Sequence, residues 1–523
     1  MKKRVLVPLV GILFVVLLAG ALSDCARRKG HGGPVIVIGL DGATWDLLQP
    51  WIDAGDLPTL AQVQHSWAWG KLRSSSPYLS PPAWTTAVTG VNPGKHAIFD
   101  FQRRLPGQQT VVNETAASRR AQPVWNVLKA AGMRSLLLNI PMTDPPDDMG
   151  DGMCIAGFPH LDQVGYTYPP ELQAKLPGYF LEHMELSLVP GKEDSLLASY
   201  RQGLQMRTRI LLDWLTHERF DLLWAVFTET DRIQHTFWIF MDPEHPGYDA
   251  GQGARYGRAI HDYWVAQDRA LGEIFSKVGA DATVLLLSDH GFAPLRYQLQ
   301  LGNLLQAPGS PLTKDEARAV YSFDDGDACR IYIARRGREP NVPWTAEDAD
   351  RIRDKLVGLL RSTVDPRTGR PVCAEVHTGE ELFTGTYAEK GPDIVVVPSP
   401  GYILVEGTPG GSPDSVIVPH TVRITAWHEM NGIYALRGPT IVPGRKDGDA
   451  GRPFALLDIV PTVLYLLGQP IPEGLDGEVL SPLIDPRYLS GHPVRTTGPL
   501  EEDFRELSPE DMKNLKNLPY IGN

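Results

Sequence analysis

Cysteine is scarce in this chain: Cys25, Cys154, Cys329 and Cys373 are its only four in 523 residues. None has zinc-type spacing, and the three outside the N-terminal region leave room for one bridge at most, so a disulfide scaffold is excluded. Internal repeats and low-complexity tracts are lacking, which excludes a solenoid or a fibrous array. Positive charge is in short supply as well. Lys plus Arg count 50 against 62 Asp plus Glu, a net charge of −12. That balance argues against non-specific binding to a nucleic-acid polymer. It does not exclude a small anionic substrate, because bound divalent metals invert the sign locally.

What is present is ordinary for a folded chain: 42% hydrophobic and 21% charged residues. The length suits one large α/β unit with an inserted or appended module. Lys2, Lys3 and Arg4 precede an uncharged run over residues 5–22. A basic start and an apolar core are read by export machinery as a signal peptide, and the run is also just long enough to serve as an uncleaved anchor. Ala21-Leu22-Ser23 offers a cleavage site, and Cys25 suggests a lipoprotein, although Asp24 before it departs from the usual small residue. The expectation is an exported protein, periplasmic or on the extracytoplasmic face, touching the membrane through this segment if it is retained or lipidated.

Short apolar runs at 35–40, 135–140, 222–227 and 283–287 each end in polar or turn-forming residues, and helical stretches separate them. Strand alternating with helix predicts an α/β fold with a mostly parallel sheet. Ligands bind such sheets beyond the carboxyl ends of the strands, which is where Asp41, Asp231 and Asp289 fall. From about 312 to 410 the texture changes. Strands are expected at 330–334 and 393–397 and a helix at 345–360, opened by a Thr345/Asp348 capping box. The expected organisation is a leader and linker at 1–33, a catalytic domain at 34–311 and 411–490, an inserted α+β module at 312–410, and a polar tail at 491–523.

Asp231 and His235 are one helical turn apart, on one face. Asp289 and His290 are adjacent at a strand end. Either pair alone is commonly a turn and a cap; with Asp41 they form a mixed N/O set suited to zinc or manganese. Ser80 precedes Pro81 and Pro82 at the mouth of a helix-like stretch, where an anion would meet free amides. The bland reading of Ser80 is an N-cap.

In order, Gly39-Leu40-Asp41-Gly42, the Ser80-x-Pro82 segment running to Val88-Thr89-Gly90 and Pro93-Gly94-Lys95-His96, Asp231-x-x-x-His235, Ser288-Asp289-His290-Gly291 and His428 resemble the type I phosphodiesterase/nucleotide pyrophosphatase family of the alkaline phosphatase superfamily. Asp458-Ile459-Val460-Pro461 and Leu475-Asp476-Gly477 resemble its C-terminal segments. The resemblance implies an alkaline-phosphatase-like three-layer sandwich with a mostly parallel central sheet. It also implies two divalent metal ions, zinc or alternatively manganese: Asp231, His235 and His428 match the ligands of one, and Asp41, Asp289 and His290 those of the other. Ser80 matches the nucleophile that touches the second metal and forms a phosphoserine.

His420 competes with His428, but Pro419 and Thr421 mark it as a loop residue. His96 is expected to support the ligands from behind or to be structural. Two departures stand out: a serine where the pyrophosphatases usually have threonine, and Phe101 near the position of an asparagine that contacts a phosphoryl oxygen. The implied activity is hydrolysis of a small phosphoester, with a lean to diesters because Trp84, Phe99 and Phe101 suit an apolar wall. Arg103 and Arg104 are read as a solvated basic pair. A monoesterase or a phosphoethanolamine or phosphoglycerol transferase is the alternative. A sulfatase is disfavoured because Trp84 stands where formylglycine maturation needs arginine. A non-catalytic exported binding module is the non-enzyme reading.

Overall fold

The computed structural model describes residues 32–104, 111–160, 164–179, 189–323, 326–407, 415–421, 424–448 and 452–499. The leader expected at the N-terminus and most of the polar tail lie outside them. Among the described residues no helix is long and apolar enough to cross a membrane.

The nine-stranded main sheet is built from β1 (Val35–Leu40), β2 (Ala68–Arg73), β3 (Ser135–Leu138), β4 (Met153–Ile155), β5 (Thr167–Tyr168), β6 (Leu222–Phe227), β7 (Thr283–Leu287), β10 (Asn431–Arg437) and β11 (Gly444–Arg445). A separate two-stranded ribbon pairs β8 (Gly291–Pro294) with β9 (Ala426–Glu429). The order across the main sheet is β11-β2-β10-β7-β1-β6-β3-β4-β5. Five adjacent strands, β7, β1, β6, β3 and β4, run parallel. β10 runs against β7, and β5 against β4. Every residue of β1, β6 and β7 is buried, as expected of strands covered by helices on both faces. The covering helices are α1 (Ser80–Thr89), α2 (Glu193–His217), α3 (Glu229–Met241) and α4 (Ala259–Lys277). The architecture is thus α/β with a large, mostly parallel central sheet.

Register sets the carboxyl ends level. Gly39 lies across from Val226 on one side and Leu287 on the other, so Asp41, Thr228 and Asp289 emerge level with one another. Gly39 is required there: a Cβ would meet Trp84 Cη2 at 2.4 Å and Val226 Cγ2 at 2.9 Å. The apolar run expected over 135–140 stops being a strand at Leu138. Asn139 takes a left-handed φ of 58° and ties itself across the sheet, its Nδ2 donating to Val226 O at 3.1 Å and Thr228 Oγ1 at 3.2 Å.

After β8 the chain leaves the main body and returns at β9. In between it forms a three-stranded sheet (Tyr402–Val405, Tyr297–Gln300, Ile417–Pro419) and a four-stranded one (Val320–Tyr321, Arg330–Ile333, Ile394–Pro398, Cys373–Thr378). Helix α5 (Ala346–Ser362) opens with the expected box: Thr345 Oγ1 accepts from Asp348 N–H at 3.1 Å and Asp348 Oδ2 from Thr345 N–H at 3.1 Å. Such a cap stabilises by about 1 kcal/mol. A second apolar core runs from Leu299 to Leu404, separate from the main one. A buried ion pair holds the two parts together: Arg330 donates to Asp100 Oδ2 at 2.5 Å and to Asp327 Oδ2 at 2.6 Å. Cys154, Cys329 and Cys373 are buried free thiols.

Candidate active site

Three strand ends and one ribbon deliver the polar residues. Asp41 follows β1, and Asp289 and His290 follow β7. Asp231 and His235 lie on the first turns of α3, directly after β6. His428 sits in β9, paired across the ribbon with Phe292. The local folding is fixed by short bonds. Thr230 Oγ1 donates to Asp41 O at 2.7 Å and Gln234 Nε2 to Gly42 O at 3.0 Å, pinning α3 to the end of β1. Ser288 Oγ donates to Ala43 O at 2.9 Å and accepts from Ile433 N–H at 2.8 Å, which holds the Asp289-His290 turn. Gly42, at φ 66°, turns its N–H onto Asp289 Oδ1 at 3.3 Å.

Two nests of ligand-type atoms result, each within 4.8 Å: Asp231, His235 and His428, and Asp41, Asp231 and His290. In the first, Asp231 Oδ1 lies 3.3 Å from both His235 Nε2 and His428 Nε2, and the two Nε2 atoms are 3.0 Å apart. His235 Nδ1 donates to Ala426 O at 2.9 Å, so its Nε2 carries the lone pair. In the second, His290 Nδ1 donates to Gly291 O at 3.1 Å. Its Nε2 then faces Asp289 Oδ2 at 3.2 Å, Asp41 Oδ1 at 3.5 Å and Ser80 Oγ at 3.4 Å. Asp289 thus lies against the second nest through His290. The rings of His290 and His428 stack at 3.6 Å, joining the nests.

These groups fit divalent cations. Asp41 Oδ1, Asp231 Oδ1 and Asp289 Oδ2 are buried without a hydrogen-bond partner, a costly state unless something else satisfies them. Burial, then Asp289 and Asp231, pushes the Asp41 carboxyl well above its usual range. Burial and Asp231 push Asp289 up to about 7. Burial also acts to raise Asp231, but His235 and His428 outweigh it and hold that carboxyl well below its usual range. Burial, with His428, drives His290 far below the ordinary imidazole value, and burial lowers His428 too. Three carboxylates enclosed together call for positive charge.

Residues 35–429 match the family model of type I phosphodiesterase / nucleotide pyrophosphatase. The chain belongs to that family. It is accordingly a phosphoester hydrolase of a metal-dependent family, with Asp and His groups placed to bind metal. Phosphonoacetate hydrolase from Sinorhizobium meliloti 1021, solved with phosphonoformate, superposes with a TM-score of 0.52 at 17% identity, over 82% of this chain and 95% of that one. Murine ectonucleotide pyrophosphatase/phosphodiesterase 5 superposes at 0.51 and 15% identity, over 86% of this chain and 100% of its own. At these identities the likeness is one of fold. No curated protein matches the sequence significantly.

Several expectations about the surroundings of this family site are corrected. The helix start offers Ser80 few amides: Pro81 and Pro82 have no N–H, and Ala83 N–H is already bonded to Leu79 O at 2.9 Å. Trp84 is no wall. It is fully buried beneath the site, and its Nε1 donates to Asp41 Oδ2 at 3.0 Å, a contact that sequence spacing does not announce. Phe99 packs edge-on against Phe383 at 5.1 Å. Phe101 does belong to an apolar cluster beside the site, with Leu79, Leu295, Ile403, Val405 and Trp427. Arg103 and Arg104 are not a solvated loop pair. They lie in a hairpin strand (Gln102–Arg104), where Arg103 bonds the buried Glu114 at 2.9 Å and Arg104 lies over Tyr321 at 4.7 Å. His96 is wholly buried against Thr86, and His420 Nε2 donates to Ile424 O at 2.5 Å, outside both nests.

Proposed function

We propose that the protein is an exported hydrolase of small phosphodiesters that works through a phosphoserine on Ser80. The observation that carries the reading is the Ser80 hydroxyl 3.4 Å from His290 Nε2, at the edge of an enclosed Asp/His set with unsatisfied oxygens. Asp231, His235 and His428 would hold one divalent ion, zinc or alternatively manganese; Asp41, Asp289 and His290 would hold the other. Bound there, such ions supply Lewis-acid stabilisation of phosphoryl charge and ease deprotonation of a nearby hydroxyl.

The chain's own residues do the rest. Ser80 Oγ, having lost its proton to solvent, attacks phosphorus in line with the ester oxygen. The Oγ–P bond forms as the ester P–O bond breaks, and the departing alkoxide takes a proton from water. Water then attacks the phosphoserine, and Ser80 leaves re-protonated. Trp84 orients the Asp41 carboxylate from below. The wall of Phe101, Leu79 and Trp427 supports an ester carrying an organic group on each side, because apolar lining is what a second substituent needs. Export rests on the leader read in the sequence, and the same intermediate passed to an alcohol would make a transferase.

Ser80→Ala is expected to remove nearly all turnover of bis-p-nitrophenyl phosphate with the fold kept, and chelation to abolish activity that zinc or manganese restores. An active Ser80→Ala protein, or full turnover after complete chelation, would sink the reading.

A further inference from the structure

We propose that Trp427 is a positioning residue for one of the two metal sites: its indole holds the rings of His235 and His428 in place, and so sets metal affinity at the first nest and not at the second. The proposal rests on the two-metal reading above.

Four successive residues of the chain close on His235. Thr425 N–H and Oγ1 donate to His235 O at 2.9 and 3.1 Å. His235 Nδ1 donates to Ala426 O at 2.9 Å. The centre of the Trp427 indole lies 4.9 Å from the centre of the His235 ring, and His428 Nε2 lies 3.0 Å from His235 Nε2. Trp427 also stacks on its neighbour His428, with ring centres 4.7 Å apart and planes 11° from parallel. It is thus the side chain of this stretch that touches both imidazoles without being a candidate ligand. Its own position is fixed from behind. Leu79 of the main body and Leu295, Ile403 and Val405 of the outer segment pack in one cluster with it, and Ala293 stands across from it in the ribbon. Trp427 is 9% exposed, and its Nε1 is buried without a hydrogen-bond partner. The indole therefore acts through its ring faces, at the cost of a buried, unpaired N–H.

These contacts are selective. Phe292 meets His235 and His428 too, at 4.7 and 5.6 Å, but it also reaches His290 at 6.3 Å and so spans both nests. Among the described residues, the ring contacts of Trp427 go to His235 and His428 alone. Two imidazole nitrogens brought to 3.0 Å serve one cation only while both rings keep their directions, and space left behind them would let them swing apart. The carboxylates of the second nest are held from elsewhere: Trp84 Nε1 donates to Asp41 Oδ2 and Gly42 N–H to Asp289 Oδ1. They do not depend on the indole.

The test titrates full-length protein with zinc against a chromophoric chelator in two backgrounds. Asp289→Asn disables the second nest and leaves zinc at Asp231, His235 and His428; His235→Gln does the reverse. Trp427→Leu is expected to weaken the remaining zinc by about 10–100-fold in the first background and by less than about two-fold in the second. Trp427→Phe keeps a smaller ring against both imidazoles and should lose less than Trp427→Leu, whereas Phe292→Leu should lose affinity in both backgrounds. If Trp427→Leu does not fold, Trp427→Phe decides by the same comparison. Equal losses in the two backgrounds would reduce Trp427 to general packing and overturn the proposal, as would unchanged affinity in the Asp289→Asn background. The two-metal reading fails separately, if the unsubstituted protein does not take up two zinc ions per chain.

Discussion

His96 gives a sharp test of how the helix that carries Ser80 is held. Ile98 N–H donates to His96 Nδ1 at 3.2 Å, which puts the ring proton on Nε2, and Nε2 donates to Thr86 Oγ1 at 3.0 Å. Burial, reinforced by the charge of Arg119, pulls the imidazole from 6.5 down to about 3. The folded value lies below the unfolded one. As pH falls under 6.5, the unfolded chain therefore takes up a proton that the folded chain refuses. The stability tied to His96 is fully present above that value and is lost as pH drops from 6.5 towards 3. Between pH 7 and pH 5 the loss works out at about 2 kcal/mol, with a limiting slope of about 1.4 kcal/mol per pH unit.

Urea unfolding of chelated wild type and His96→Gln across that range isolates this contribution, because all other titrations are common to both. The wild type should lose about 2 kcal/mol more than the variant. Thr86→Val, which removes the partner and leaves the imidazole, should lower stability by about 1 kcal/mol and keep the wild-type slope. Parallel slopes for wild type and His96→Gln would refute the reasoning.

Trp84→Phe removes the bond to Asp41 Oδ2 and should weaken zinc binding by about 10–100-fold in competition with a chromophoric chelator; unchanged affinity would reduce Trp84 to packing. Arg330→Met leaves Asp100 and Asp327 buried without their shared cation and should cost about 3–5 kcal/mol in urea unfolding; a loss under about 1 kcal/mol would contradict the description of that ion pair.

Much of the architecture could be read along the chain, because β1, β6 and β7 are buried on both faces and so appear as unbroken apolar runs. The gathering of Asp41, Asp231 and Asp289 was legible for the same reason: each acid closes such a run or opens the helix after it. β2 escaped notice, since Ala68–Arg73 alternates buried with half-buried residues and contains both Gly70 and Lys71. Side-chain partners across strands were not legible. Arg103 finds Glu114 only because a hairpin folds them together, and Trp84 reaches Asp41 only because Gly39 leaves space for its ring. Phe99 and Phe101, two residues apart, diverge to Phe383 and Phe158. His428 was preferred to His420 from its neighbours alone, but its stacking on His290 was not legible, because it depends on β9 pairing with β8.

That ribbon has a consequence for how such a protein can vary. Everything between Pro294 and Ala426 enters and leaves through one antiparallel clasp of four residue pairs, Gly291–Pro294 against Ala426–Glu429. The clasp sets His428 beside His290 whatever the excursion does beyond it. The outer segment also meets the main body through the Phe101 wall, the Arg330 ion pair, Phe99–Phe383, Arg104–Tyr321, Asn92–Thr384 and Arg73–Glu375; away from those contacts it is free to lengthen, shrink or be exchanged while His428 and His290 stay in place. The Asp/His set and the outer segment can then diverge at separate rates in one polypeptide, with the clasp as the seam between them.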